Sequence, residues 1–179
     1  MAWFNNLNLG GKLLISNIIL GALIVSSALM TTQRLNVIDE HVKGLDTAMQ
    51  AVDLLLQADR DLYQVLVAER SMMFSKPNSD EFRGLVATHK ENIKQARERA
   101  EQFLALVSDA QIQSMFDRYS NHRVQWEALT NKVRSEREQD TRSGRRAAIE
   151  MSFGTAADQF NKMREQIDGM VEYVEALSH

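Results

Sequence analysis

LNVIDEHVKGLDTAMQAVDLLLQADRDLYQVLVAERSMM, residues Leu35 to Met73, decides the fold. Read in sevens, it places Leu35, Val42, Met49, Leu56, Tyr63 and Arg70 in one column and Ile38, Leu45, Val52, Asp59, Leu66 and Met73 in another. Ten of these twelve positions are apolar or aromatic, and a 3-4 spacing held that far predicts a long helix packed against partner helices. Asp59 and Arg70 are the two exceptions. A charge on a buried seam is costly unless another group or a ligand meets it, so both positions are candidates for pairing or binding.

Upstream lies LLISNIILGALIVSSALM, Leu13 to Met30, eighteen residues without a formal charge. At about 1.5 Å per residue, extending it to Thr32 gives roughly 30 Å, the depth of a bilayer core. Residues 13–32 therefore read as a transmembrane helix, with Trp3 and Phe4 placed as interfacial anchors. Ser26-Ser27-Ala28 could pass for a signal cleavage site. The apolar region of a signal peptide is shorter, about 7 to 15 residues, which favours an uncleaved anchor. Lys12, set against Arg34 with Asp39 and Glu40 close behind, puts residues 1–12 in the cytoplasm by positive-inside counting. After the span no Gly or Pro intervenes before Gly44, so the membrane helix is expected to continue into the first bundle helix.

Downstream, Ser75-Lys76-Pro77-Asn78-Ser79 ends the first helix, and Ser79 is placed to cap the second. That helix, about 79–107, has Phe82, Leu85, His89, Ala96 and Phe103 along its seam. Ser108 with Gln111 has the form of a capping box for a third helix, about 109–138, whose seam runs through Ile112, Met115, Tyr119, His122, Trp126, Leu129 and Val133. The charged run after it reads as a wet turn, with Asp140, Thr141 or Ser143 to cap a last helix, about 143–178. Its seam reads Ile149, Phe153, Ala156, Phe160, Met163, Ile167, Met170 and Val174, and Gly154 and Gly169 inside it signal close packing or a bend. Short connections force neighbours antiparallel. The expected fold is all-α: an up-down-up-down four-helix bundle over 33–179, with an N-terminal transmembrane helix continuous with its first helix. An even number of passes would return His179 to the membrane, as expected of the front part of a larger membrane protein.

Composition narrows the function. At 179 residues with a net charge of -3 the chain carries no basic footprint for nucleic acid, and with no cysteine it has neither a disulfide scaffold nor a thiolate metal site. His89 and His122 fall on seams of different helices, so no metal site is expected. The seam methionines read as core. Nothing resembles a nucleophile with its base, a phosphate-cradling glycine loop or a converging pair of acids, so neither an enzyme nor a cofactor is expected.

The N-terminal span, the first helix with LLLQADRDLYQVLVAERSMMF, the Pro-containing turn and the last helix with SFGTAADQFNKMREQIDGMVEYVEAL together resemble the sensor region of bacterial methyl-accepting chemotaxis receptors with a four-helix-bundle input domain. The resemblance implies a periplasmic domain anchored in the inner membrane and a homodimer through the first helices. It also implies a small-molecule ligand near the membrane-distal end, and a second span, a HAMP unit and a cytoplasmic signalling hairpin that find the signalling partners. Similar input modules sit on histidine kinases and nucleotide cyclases.

Counted from Pro77, Arg70 on the first helix and Phe153 and Thr155 on the last lie at overlapping levels, with Arg60 further down. Arg60 and Arg70 could hold a carboxylate through their planar N–H pairs, Tyr63 could stack or donate, and Gln64 and Thr155 could add neutral hydrogen bonds. The predicted ligand-binding set is thus Arg60, Tyr63, Gln64, Arg70, Phe153 and Thr155, suited to an organic acid or amino acid. In aspartate-sensing relatives basic residues of the first helix hold the ligand; at the matching places this chain has Asp59, Gln64 and Ala68, so aspartate is not carried over. The competing reading is a membrane-anchored adaptor bundle without a small-molecule pocket, in which polar seam residues set register and partner choice.

Overall fold

The structure is a computed structural model describing residues 8–177; Trp3, Phe4 and His179 lie outside the described residues. Its helices are α1 (Leu9–Met72), α2 (Asp80–Leu106), α3 (Ala110–Glu138), α4 (Arg142–Phe153) and α5 (Thr155–Leu177). The last two are parts of one bundle helix parted at Gly154, so the all-α four-helix bundle is present, with no strand among the described residues. The chain divides into two compact units, Met1–Leu45 and Asp46–His179.

In the first unit, α1 holds one window near the N-terminus long and apolar enough to cross a membrane, none of it buried by protein. Four of its hydroxyls fold back on the helix. Ser16, Ser26, Thr31 and Thr32 donate to the carbonyls of Lys12, Leu23, Ser27 and Ala28 at 2.9–3.0 Å, which satisfies hydroxyls where lipid could not.

In the second unit the bundle core runs through Leu55, Leu62, Phe103, Ile112, Tyr119, Trp126, Phe160, Met163, Ile167 and Met170. The face of α1 that enters it is Ala51, Leu55, Ala58, Leu62, Val65, Glu69 and Met72, a strict 4-3 repeat. This corrects the sequence reading. Of the expected seam, Met49, Leu56 and Tyr63 are exposed, and only Leu66 and Met73 are buried. The physical reason is that α1 carries two apolar stripes side by side, and the inner one uses alanines that let neighbouring helices approach closely. The same one-residue shift occurs in α4: Ala148 and Ser152 are buried, whereas Ile149 and Phe153 are exposed. In α3, Phe116 and Thr130 take the buried places expected of Met115 and Leu129.

Antiparallel neighbours are fixed by pairs whose numbers run in opposite senses. Asp59 and Arg70 of α1 meet Arg164 of α5 and Phe153 of α4; Arg118 and His122 of α3 meet Gln166 and Gln159 of α5; His89 and Arg97 of α2 meet Thr130 and Glu127 of α3. The turns are specified locally. Ser79 Oγ accepts from Phe82 N at 3.1 Å and caps α2, after Asn78 takes a left-handed φ of 67° that its short polar side chain tolerates. At α3 the cap is Asp109 rather than Ser108, its carboxylate accepting from Gln111 N at 2.8 Å and Ile112 N at 3.0 Å. An acid in that place also faces the positive end of the helix dipole. Thr141 caps α4 through Gly144 N at 2.9 Å, and a side chain at position 144 would collide with the Glu136 carbonyl.

The charged end of α3 is more than a wet turn. Arg137 is buried and donates through Nε to Met72 O at 2.9 Å and through Nη2 to Ser75 O at 2.6 Å. These are carbonyls at the end of α1 that lack a helical partner, so one guanidinium locks the distal end of α1 to α3.

Candidate functional site

The expected site residues fall on the outer groove between α1 and the last helix, and they do not all face the same way. Arg70 is half-buried and lies over Phe153, its Cζ 4.7 Å from the ring centroid. Its Nε is buried without a hydrogen-bond partner, so the guanidinium holds an unused donor beside an exposed ring. About two turns toward the N-terminus of α1, Tyr63 meets Phe160 edge-on at 5.3 Å, and Arg164 lies over the Tyr63 ring at 4.6 Å. Arg164 is held by Asp59, Nε to Oδ1 at 2.6 Å and Nη2 to Oδ2 at 3.0 Å. That two-point contact keeps the guanidinium charged and raises its pKa further.

Arg60 goes elsewhere. Its side chain lies over buried Asp61, with Nη2 3.4 Å from Oδ1, and Asp61 also forms an ion pair with Arg99 of α2. The structure thus brings Arg70 and Phe153 together, sets Tyr63 on the same groove, leaves Gln64 and Thr155 exposed and directs Arg60 toward α2. Arg164 was not singled out from the sequence. Its signal would have been the acid–base match with Asp59 at the level already assigned to the site.

Beyond Phe153 the same face of α4 continues through Ile149, Arg146 and Arg142. With Arg145 and Glu150 these line a shallow groove of about 330 Å³. Large apolar groups stand in the open around the site: Val67 is 62%, Phe74 91% and Phe153 60% exposed. Arginine donors beside uncovered rings can accept a small carboxylate with an apolar body, or the corresponding face of another chain. Among the described residues no group of His, Asp or Glu is arranged to hold a metal ion.

The other polar concentration is inside the bundle. Glu69 accepts from Ser152 Oγ at 2.5 Å and from Thr130 Oγ1, and Thr130 Oγ1 lies 2.8 Å from His89 Nε2. Burial raises the Glu69 pKa, partly offset by those two hydroxyls and by Arg70, while burial and the nearby Arg134 and Lys90 lower His89 to about 4. Sequence reasoning noticed His89 and missed the other three.

Residues 6–179 match a family model described as a four helix bundle sensory module for signal transduction. No curated protein and no solved structure matches the chain.

Proposed function

The chain belongs to this family, the four-helix-bundle sensory modules of methyl-accepting chemotaxis receptors, and from that membership we propose that its outer α1–α4 groove binds a small organic acid or an amino acid. The observation that carries the reading is Arg70: a half-buried guanidinium with an unpaired donor, stacked on an exposed phenylalanine. Tyr63 and Phe153 supply apolar walls, Gln64 and Thr155 lie within the same stretch as neutral hydrogen-bonding groups, and Arg164 adds a second cation already oriented by Asp59. Arg60, paired with Asp61, has the weakest claim of the predicted set.

An open groove on one chain encloses little of a ligand. The exposed stripe Leu35, Ile38, Val42, Leu45, Met49 and Leu56 on α1 would be covered by the same stripe of a second copy, giving a homodimer through the first helix. In this reading the bundle lies in the periplasm, anchored in the inner membrane by residues 13–32. Ligand binding favours one of two packings of the last helix against α1, a shift of about 1–2 Å that a stiff helix can carry.

The test uses the full chain in lipid nanodiscs with a panel of organic acids and amino acids, read by thermal unfolding. A ligand at 100 times its dissociation constant stabilises by about 2.7 kcal/mol. The expected result is stabilisation by a carboxylate that disappears in Arg70→Ala. Silence across the panel, or stabilisation that survives Arg60→Ala combined with Arg70→Ala, overturns the assignment.

A further inference from the structure

Each of the four bundle helices contributes one fully buried polar residue to a single layer: Glu69 from α1, His89 from α2, Thr130 from α3 and Ser152 from α4. They form one connected chain, Ser152 to Glu69, Glu69 to Thr130, and Thr130 to His89. One end is open, because His89 Nδ1 is buried without a partner. A layer needed only to set helix register could be built from neutral amides and hydroxyls; a carboxyl and an imidazole joined by a hydroxyl add a titratable path. We propose that this layer is a proton-binding site, separate from the outer groove, through which the bundle responds directly to pH.

The chemistry follows from counting hydrogens. A threonine hydroxyl has one proton and can donate in one direction only. With Glu69 ionised, both Ser152 and Thr130 donate to it. Thr130 must then accept from His89, so the neutral ring carries its proton on Nε2 and leaves Nδ1 bare, in agreement with the unpartnered Nδ1. When one proton is added at Nδ1, the Nε2 proton passes to Thr130 and the Thr130 proton passes to Glu69 Oε2, which leaves the hydroxyl with its new proton facing His89 and donating to Nε2. One proton has entered and one now rests on Glu69. The ring is neutral before and after, with its proton moved from Nε2 to Nδ1.

The surrounding charges favour this sequence over an imidazolium. Lys90 beside His89 on α2 and Arg134 on α3 both act against a positive ring; Arg70 on α1 favours the ionised Glu69, an effect smaller than that of burial, and α4 meets the layer with the neutral Ser152. Burial makes the carboxyl, rather than the ring, the place where the proton is kept. Ser152 lies two residues before the break at Gly154, so the charge on Glu69 sets how tightly α1 grips the broken part of the last helix.

The experiment is nitrogen NMR of the histidine rings in the full chain, labelled and held in nanodiscs without ligand, from pH 5 to 8.5. The expected result is that His89 stays neutral while its protonated nitrogen changes from Nδ1 to Nε2 as the pH rises, in step with the carboxyl carbon of Glu69. Glu69→Gln is expected to freeze one tautomer throughout. Thr130→Val is expected to uncouple the ring from Glu69, and Thr130→Ser to restore the coupling; this pair carries the test if Glu69→Gln does not fold. A His89 ring that does not change in the wild type, or that changes alike in Glu69→Gln or Thr130→Val, overturns the proposal and leaves a structural polar layer.

Discussion

Asp59 and Asp61 stand two residues apart on α1 and turn to opposite neighbours. Asp59 reaches across to Arg164 of α5 in a partly buried two-point contact, while Asp61 is buried against Arg99 of α2. Such charge-assisted pairs are worth about 1–3 kcal/mol, so Arg164→Ala should lower the unfolding free energy in urea by about that amount. In a double-mutant cycle with Asp59→Ala the two losses should not add. The pH dependence of stability belongs to Glu69 and His89, and their signs oppose. His89, lowered from 6.5 to about 4, gives stability that is present above pH 6.5 and lost as the pH falls toward 4. The loss is at most about 3 kcal/mol. Glu69 is raised, so its contribution is present below 4.5 and declines as the pH rises through its folded value. Urea melts across this range should show an acid limb that His89→Asn flattens and an alkaline decline that Glu69→Gln flattens. Because the two trends oppose and can mask each other in the wild type, the variants decide: His89→Asn and Glu69→Gln profiles that both run parallel to the wild type from pH 4 to 8 would contradict both assignments.

At the scale of elements, the period of each helix was legible in the sequence, and the phase of α1 was not. Its two columns, 51/55/58/62/65/69/72 and 49/52/56/59/63/66/70, share the same spacing, and the outer one continues the column of large apolar side chains that starts at Leu35. Following the bulky column down from Leu35 therefore selects a face that the bundle leaves largely outside, although over these seven positions it has five apolar or aromatic residues and the inner face six; Ala51 and Ala58, small enough for close approach, mark the inner one. Ile149 and Phe153 mislead against Ala148 and Ser152 for the same reason. That Arg70 and Phe153 meet, with Tyr63 on the same groove, could be read from the sequence because level along antiparallel helices follows from counting. The Glu69 layer could not, since its partners lie as far as 83 residues apart and meet only once all four helices have packed. Gly154 was legible as a bend. It has φ -106° and ψ -108°, and a Cβ there would stand 2.8 Å from the Glu150 carbonyl. Gly154→Ala should therefore destabilise by about 1–3 kcal/mol, despite the better helix propensity of alanine. A more stable Gly154→Ala by calorimetry would mean that the break is incidental. Arg137→Ala should cost about 3 kcal/mol through the stranded Met72 and Ser75 carbonyls, with hydrogen exchange rising first at the end of α1.

At the scale of the whole molecule, a membrane receptor module with no cysteine is convenient for mapping its contacts, because every introduced thiol is the only one in its chain. If the outer stripe of α1 is the face between two copies, oxidation of the full chain in membranes should give disulfide dimers with Met49→Cys and with Leu56→Cys. The exposed control Glu101→Cys on α2 should stay monomeric on a non-reducing gel. Equal cross-linking at all three positions would remove α1 from the interface. A last consequence concerns how much variation α1 can absorb. Between residues 49 and 72 one stripe serves the core and the adjoining one leaves Met49, Leu56 and Tyr63 in the open and commits Asp59 and Arg70 to the last helix, which leaves only a narrow arc where substitution is free. In a saturation library scored for folded receptor and for signalling, α1 should therefore tolerate the fewest replacements, and its inner and outer positions should fail in different assays: the inner through abundance, the outer through response.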